Sequence, residues 1–186
     1  GTPRWQHEAG GSVTAAAVGD ETVFVGSDDG VVIALNAESG ETVWKRDYDS
    51  TPETPAIAET THGHTVYVAT DDGTLDALAA DTGGQTWQYD GPAAFSTPAV
   101  DGQTVYVGSE DHRIYAVDAE TGDERFFFEV EGPTGQPVIT DGTLQVVGTS
   151  EMMALEAANS DSDPTAVAIT DPERWAVSGG TLANTS

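Results

Sequence analysis

The sequence predicts an all-β fold built from repeated four-stranded antiparallel sheets, and three observations carry that prediction. First, an 11-residue element is written three times, as Ala34–Trp44, Ala77–Trp87 and Ala116–Phe126. Each copy runs from a small alanine to a large aromatic, with Gly40, Gly83 or Gly122 four positions before the aromatic. Second, the stretch Thr22–Gly30 recurs as Thr65–Gly73 and Thr104–His112, and 14 residues always separate Gly26, Ala69 or Gly108 from the glycine of the element. Third, the elements repeat at intervals of 43 and then 39 residues, so length varies only outside the fixed block. A unit of about 40 residues with four short strand signals is the size of one β-propeller blade.

Each complete unit reads as four strands in order. An inner strand comes first, at Ser12–Val18, Thr54–Ala58, Ser96–Val100 and Gly135–Thr140. Pro55, Pro98 and Pro137 recur inside it, which a strand tolerates only at an edge or at its start, so this strand belongs on the free edge by the central axis. The second strand is apolar on both faces, as in Val23-Phe24-Val25, and therefore needs cover on both sides, as blades stacked face to face provide. Asp28-Asp29-Gly30 and Asp71-Asp72-Gly73 then form tight hairpin turns, with glycine supplying the positive φ. The third strand carries the repeated alanine, a Ser/Thr-Gly turn follows, and the outer strand carries the aromatic.

The alanine-to-tryptophan spacing is read as a wedge. The small side chain leaves room for an indole from the neighbouring blade, and that ring buries about 150 to 250 Å². Ala34, Gly40, Trp44, Ala77, Gly83, Trp87, Ala116, Gly122 and Phe126 are the docking residues this reading nominates. Trp5 lies 39 residues before Trp44, so residues 1–10 are expected to be the outer strand of a preceding blade. Blades are then expected over 11–50, 51–92 and 93–132. A degenerate fourth follows over 133–178, in which Val146-Val147-Gly148 repeats Tyr106-Val107-Gly108 and Met152–Ala157 stands for Ile114–Ala119. A polar insertion around Asn159 to Pro164 replaces its turn, Trp175 closes it, and 179–186 is a tail.

Composition narrows the function classes. No segment approaches the roughly 20 apolar residues of a membrane helix, so direct membrane insertion is not expected. There is no initiator methionine and no basic-then-apolar segment at Gly1, so the chain reads as a processed form or a fragment. Without cysteine there is no disulfide, thiolate nucleophile or zinc-thiolate centre. Against 6 basic residues stand 32 acidic ones, a net charge of −26, and Lys45 is the only lysine. Such a field repels nucleic acid and anionic membrane. The acids are dispersed over turns and alternate strand positions, which suits salt adaptation, since at molar salt the Debye length shrinks to about 3 Å.

The element Ala-x-Asp-x-x-Thr-Gly-x-x-x-Trp resembles the tryptophan-docking motif of the pyrroloquinoline quinone (PQQ)-like β-propeller repeat family, over most of the chain. The copies depart from it at Asn36 and Ser39, at Ala79, and at Phe126. The resemblance implies an arc of about four blades from a propeller of seven or eight. It divides the functional expectation between BamB-type non-catalytic propellers and quinoprotein dehydrogenases. The catalytic members hold a calcium-bound quinone over the axis with an aspartate base, an arginine and often a vicinal disulfide. The disulfide is impossible here, and no single Asp, Glu or Arg stands out from the repeat.

The functional expectation is accordingly a non-catalytic scaffold that binds a protein partner, extracytoplasmic or at the cell surface. It carries no catalytic, cofactor or metal residues. A PQQ- and calcium-dependent dehydrogenase fragment is the alternative, and a sensor domain of a larger signalling protein the second alternative. An arc exposes the packed faces of its end blades, so either further blades in a parent chain or self-association of two arcs is expected. Asp28, Asp29, Asp71 and Asp72 lack the ligand spacing of a calcium loop and read as turn residues. His62 and His64 lack a third ligand nearby. Tyr67, Tyr106, Tyr115 and Phe127 read as packing residues.

Overall fold

The computed structural model describes residues 1–61, 63–132, 134–140, 143–147, 152–156, 175–178 and 181–184. Every regular element in them is a strand. The first blade comprises β1 (Val13–Gly19), β2 (Thr22–Ser27), β3 (Val31–Asn36) and β4 (Thr42–Asp47), hydrogen-bonded in that order. The second is β5 (Ala56–Thr60), β6 (Gly63–Ala69), β7 (Thr74–Ala79) and β8 (Gln85–Asp90). The third is β9 (Ala99–Asp101), β10 (Thr104–Ser109), β11 (Arg113–Asp118) and β12 (Glu124–Glu129). Next come a three-stranded sheet of β13 (Val138–Thr140), β14 (Thr143–Val147) and β15 (Met152–Glu156), and a two-stranded one of β16 (Trp175–Ser178) and β17 (Thr181–Asn184).

All pairings are antiparallel meanders, so each blade is built from local hairpins. Both faces of the middle strands are buried: Val31 to Leu35, Thr65 to Ala69, and Thr104 to Ser109 all lie inside. These strands therefore show no polar alternation, as strands sandwiched between two layers must. A bulge falls at the same place in each blade, between Ala34 and Leu35, Ala77 and Leu78, and Ala116 and Val117. Inner strands β1, β5, β9 and β13 are successive neighbours, which places them around one axis.

The structure corrects three expectations. The ladder of the inner strand starts at Ala56, Ala99 and Val138, directly after Pro55, Pro98 and Pro137, rather than running through them. Proline has no N–H to donate, so the ladder begins one residue later. Residues 1–10 form no strand, because an outer strand needs a third strand beside it and none of the described strands stands there. Trp175 does not close the fourth sheet: its strand pairs with β17, and β15 has β14 as its ladder partner among the described residues. Gly148, the Asn159–Pro164 insertion and most of the tail lie outside the described residues.

Candidate functional site

The site with the most specific chemistry is the seam between consecutive blades. Trp44 reaches out of its own sheet and donates from Nε1 to the Ala80 carbonyl of the second blade at 2.8 Å. Trp87 repeats the bond to Ala119 of the third blade at 3.1 Å, and Trp5 makes it to Ala37 of the first at 2.9 Å. Each indole lies against the glycine of the next turn. A Cβ on Gly40, Gly83 or Gly122 would stand 2.6 to 2.8 Å from ring carbons of Trp5, Trp44 or Trp87. The same glycines have φ of +74°, +69° and +78°. Two constraints, ring clearance and a left-handed backbone, thus select one residue type.

The alanines do a different job from the one expected. Ala34, Ala77 and Ala116 stand directly opposite Trp44, Trp87 and Phe126 on the neighbouring strand of the same blade. The surface receiving the indole is the next blade's glycine turn, which offers both a carbonyl that accepts from the indole and a face without a side chain. Phe126 has no N–H to donate. It packs edge-on to Phe128 at 5.1 Å and against Leu144 and Val146 of the fourth sheet.

The remaining residues of the element shape that turn. Asn36 Oδ1 accepts from the amides of Glu38 and Ser39, and Asp118 Oδ1 from those of Glu120 and Thr121. Ala79 cannot do this, and there the Thr82 and Gly83 amides close on its backbone carbonyl. Arg125 donates to Asp118 Oδ2 at 2.6 Å and to Thr104 Oγ1. Burial works to raise the Asp118 carboxyl, but Arg125 and the two backbone amides outweigh it and hold the group below the usual range.

The paired acids of the hairpins also have structural partners. Asp28 Oδ1 accepts from the Ser12 amide, and Asp71 Oδ1 from the Thr51 amide. The amides of Asp28 and Asp71 donate back to the Ser12 and Thr51 carbonyls, a two-way clamp on the chain entering each inner strand. In the third hairpin His112 takes the place of Gly30 and Gly73 at φ +69°.

One residue breaks the repeat and was missed in the sequence. Asp76 occupies the position filled by Ile33 and Tyr115 in the other blades, and it is 2% exposed. Arg46 Nη2 and the Tyr48 hydroxyl of the first blade each donate to its Oδ2 at 3.1 Å, and Arg46 also reaches Gln85. Asp76 Oδ1 has no hydrogen-bond partner among the described residues. Burial pushes the Asp76 carboxyl up, against Arg46 and Tyr48, and burial likewise raises Tyr48. A charged residue where the aligned copies carry Ile and Tyr was the available signal. At the next seam the corresponding place holds Tyr89 and Tyr115, 6.0 Å apart, with Phe95 against both.

Among the described residues no group of three His, Asp or Glu side chains is placed to hold a metal ion. His64 Nε2 stands 2.6 Å from Asp20 Oδ2 beside a cleft of about 350 Å³ that opens at the first seam between Gly19, Phe24 and Ala80. His62 lies outside the described residues. Tyr67 and Tyr106 are fully buried, and Tyr67 donates to the Ala119 carbonyl at 3.0 Å. Phe127 packs on Tyr115 at 6.0 Å beneath the Arg113 guanidinium.

Comparison with known proteins agrees with this geometry. The designed protein Ika4 superposes with a TM-score of 0.75 at 16% identity, over 85% of this chain and 99% of that one. BamB from Moraxella catarrhalis gives 0.69 at 23% identity over 82% of this chain; the match spans about half, 52%, of BamB itself. A quinohemoprotein alcohol dehydrogenase, ADHIIG from Pseudomonas putida HK5, gives 0.60 at 22% identity over 70% of this chain and 27% of the enzyme. At these identities the likeness is one of fold. No curated protein matches the chain. The sequence model of one family, described as outer membrane protein assembly factor BamB, matches residues 1–186, and the chain belongs to that family.

Proposed function

We propose that the chain is a non-catalytic scaffold that holds a protein partner on its loop surfaces, extracytoplasmically, in a salt-adapted cell. The observation that carries this is the docking ladder. The residues that recur from blade to blade are taken up by contacts between blades, which makes the stack rigid and leaves loops as the surface free to bind. Family membership favours the same reading, since the family takes its description from an assembly factor of the outer membrane. The net charge of −26 suits a partner with a basic surface.

The test combines two measurements. Single cysteines at Asp29 and Asp72, in a chain that has none of its own, carry a photo-cross-linker in living cells. A single discrete adduct from these hairpin sites, absent from a cysteine placed at Gln88 on the blade perimeter, supports the scaffold. Titration with PQQ and calcium is expected to leave the absorbance of the quinone unchanged. A saturable shift would favour the dehydrogenase instead. Dialysis from molar salt into dilute buffer is expected to melt the fold reversibly, and full stability in dilute buffer would contradict salt adaptation.

A further inference from the structure

Across the three complete blades the repeat lengthens at one place. Ala17 to Thr22 and Ala99 to Thr104 are five residues apart, whereas Ala56 to Thr65 are nine, which accounts for the interval of 43 against 39. The extra residues extend the β5–β6 hairpin by two pairs, Glu59 with His64 and Thr60 with Gly63, past the point where β1–β2 and β9–β10 turn. This overhang reaches both neighbouring blades. His64 Nε2 stands 2.6 Å from Asp20 Oδ2 of the first, and the Thr61 amide donates to Glu120 Oε1 of the third at 3.2 Å.

Three adjoining cavities of about 350, 300 and 390 Å³ run along the overhang. The first and second share Thr65 and Thr86, and the second and third share Thr60, Ala119 and Glu120. They form one groove across the end of the second blade, from the first seam to the second. Its chemistry is that of an acceptor surface. Thr60 Oγ1 donates to the Gly63 carbonyl at 2.8 Å and Thr86 Oγ1 to the Ala77 carbonyl at 3.1 Å, so both hydroxyl protons are spent on the backbone and the oxygens are left as acceptors. A carboxylate lines the groove toward each end, Asp81 in the first cavity and Glu59 in the third. Neither makes a hydrogen bond or ion pair among the described residues, and no described lysine or arginine lines the groove.

We infer that this groove binds an extended protein segment carrying arginine side chains, with one guanidinium on Asp81, another on Glu59, and the chain between them over Thr60, Thr65 and Thr86. The site is separate from the hairpins of Asp29 and Asp72, which lie at the opposite end of the strands. Arginine suits it better than lysine. In molar salt a Debye length of about 3 Å removes long-range attraction and leaves contact bonds to decide, and the planar guanidinium gives a carboxylate two directed bonds at a smaller cost in hydration.

The test uses the full chain in molar potassium chloride and a fluorescent peptide, Arg-Gly-Arg-Gly-Arg, followed by anisotropy. Saturable one-to-one binding is expected. Asp81→Asn and Glu59→Gln are each expected to weaken it at least threefold and together at least tenfold, with the circular dichroism unchanged, whereas Asp29→Asn with Asp72→Asn leaves it unaltered. The peptide with lysine in place of arginine, and free arginine, are each expected to bind at least tenfold more weakly. Absence of saturable binding at about 1 mM peptide overturns the inference. So does an equal loss from the hairpin pair, which would mean diffuse attraction to an acidic surface, or equal binding of free arginine, which would mean a small-cation site. Each of these results leaves the adduct expected at the hairpins untouched, so the scaffold reading stands or falls separately.

Discussion

The first and second seams are built on one plan and filled with opposite chemistry. Both are pinned by an indole bonded to a carbonyl of the next blade, over a glycine with positive φ. Beside that pin the first seam buries an Asp76–Arg46–Tyr48 cluster, whereas the second stacks Tyr89, Phe95 and Tyr115. Two differences accompany the switch. Tyr48 becomes Gly91, and Phe95 lies where a side chain on Gly91 would stand. Phe24 becomes Tyr67, whose hydroxyl adds a second donor to the Ala119 carbonyl. The pin is what the repeat requires, and the filling is free to vary as long as a seam varies as a unit.

The largest expected effect comes from breaking the pin. Trp44→Ala and Trp87→Ala are each expected to cost about 3 to 5 kcal/mol in denaturant unfolding, because each deletes a buried aromatic and its hydrogen bond. If one of them costs under about 1 kcal/mol, the seams do not share a plan. Next comes Arg46→Ala, expected to cost about 3 kcal/mol by stranding a buried carboxylate. Adding Asp76→Ile, the residue of the first blade, is expected to recover most of that loss, since an apolar filling suits the second seam. Failure to recover would show that the cluster does more than fill space.

A smaller effect tests the doubled donor. Tyr67→Phe alone is expected to cost about 1 kcal/mol, because Trp87 still bonds Ala119. Combined with Trp87→Ala it is expected to cost about 1 to 3 kcal/mol more than the sum, as the buried carbonyl loses both donors. The smallest effect is one of pH. The Asp76 carboxyl is raised in the folded chain, so the stability it contributes is fully present below the unfolded value, near 4, and is lost as pH rises through the folded one. Asp76→Asn is therefore expected to gain on the parent chain as pH rises toward neutrality. A difference that is flat with pH, or that moves the other way, would mean Arg46 holds the carboxyl below its ordinary value.

Much of this was legible in the sequence, for a physical reason. The repeated glycines and aromatics mark backbone and packing constraints that act within one unit and its neighbour, so copies in register reveal the blades and their order. The doubly apolar middle strands announced cover on both faces. What was not legible depended on contacts across the seam. The alanines could not be told from the receiving surface, because alanine and glycine are both small and only the fold shows which one faces the next blade. Asp76 was passed over because one more carboxylate in a chain with 32 draws no notice until burial singles it out. The inner strand was drawn too long because a proline can sit either within an edge strand or just ahead of it.

The most direct test is hydrogen exchange of the indole N–H groups in the native protein by NMR. If the indoles are docked on the next blade, Trp44 and Trp87 exchange only through unfolding, orders of magnitude slower than free indole, and Gly83→Ala accelerates Trp44 alone. Exchange of both at the rate of free indole, in a chain that is otherwise folded, would contradict the account.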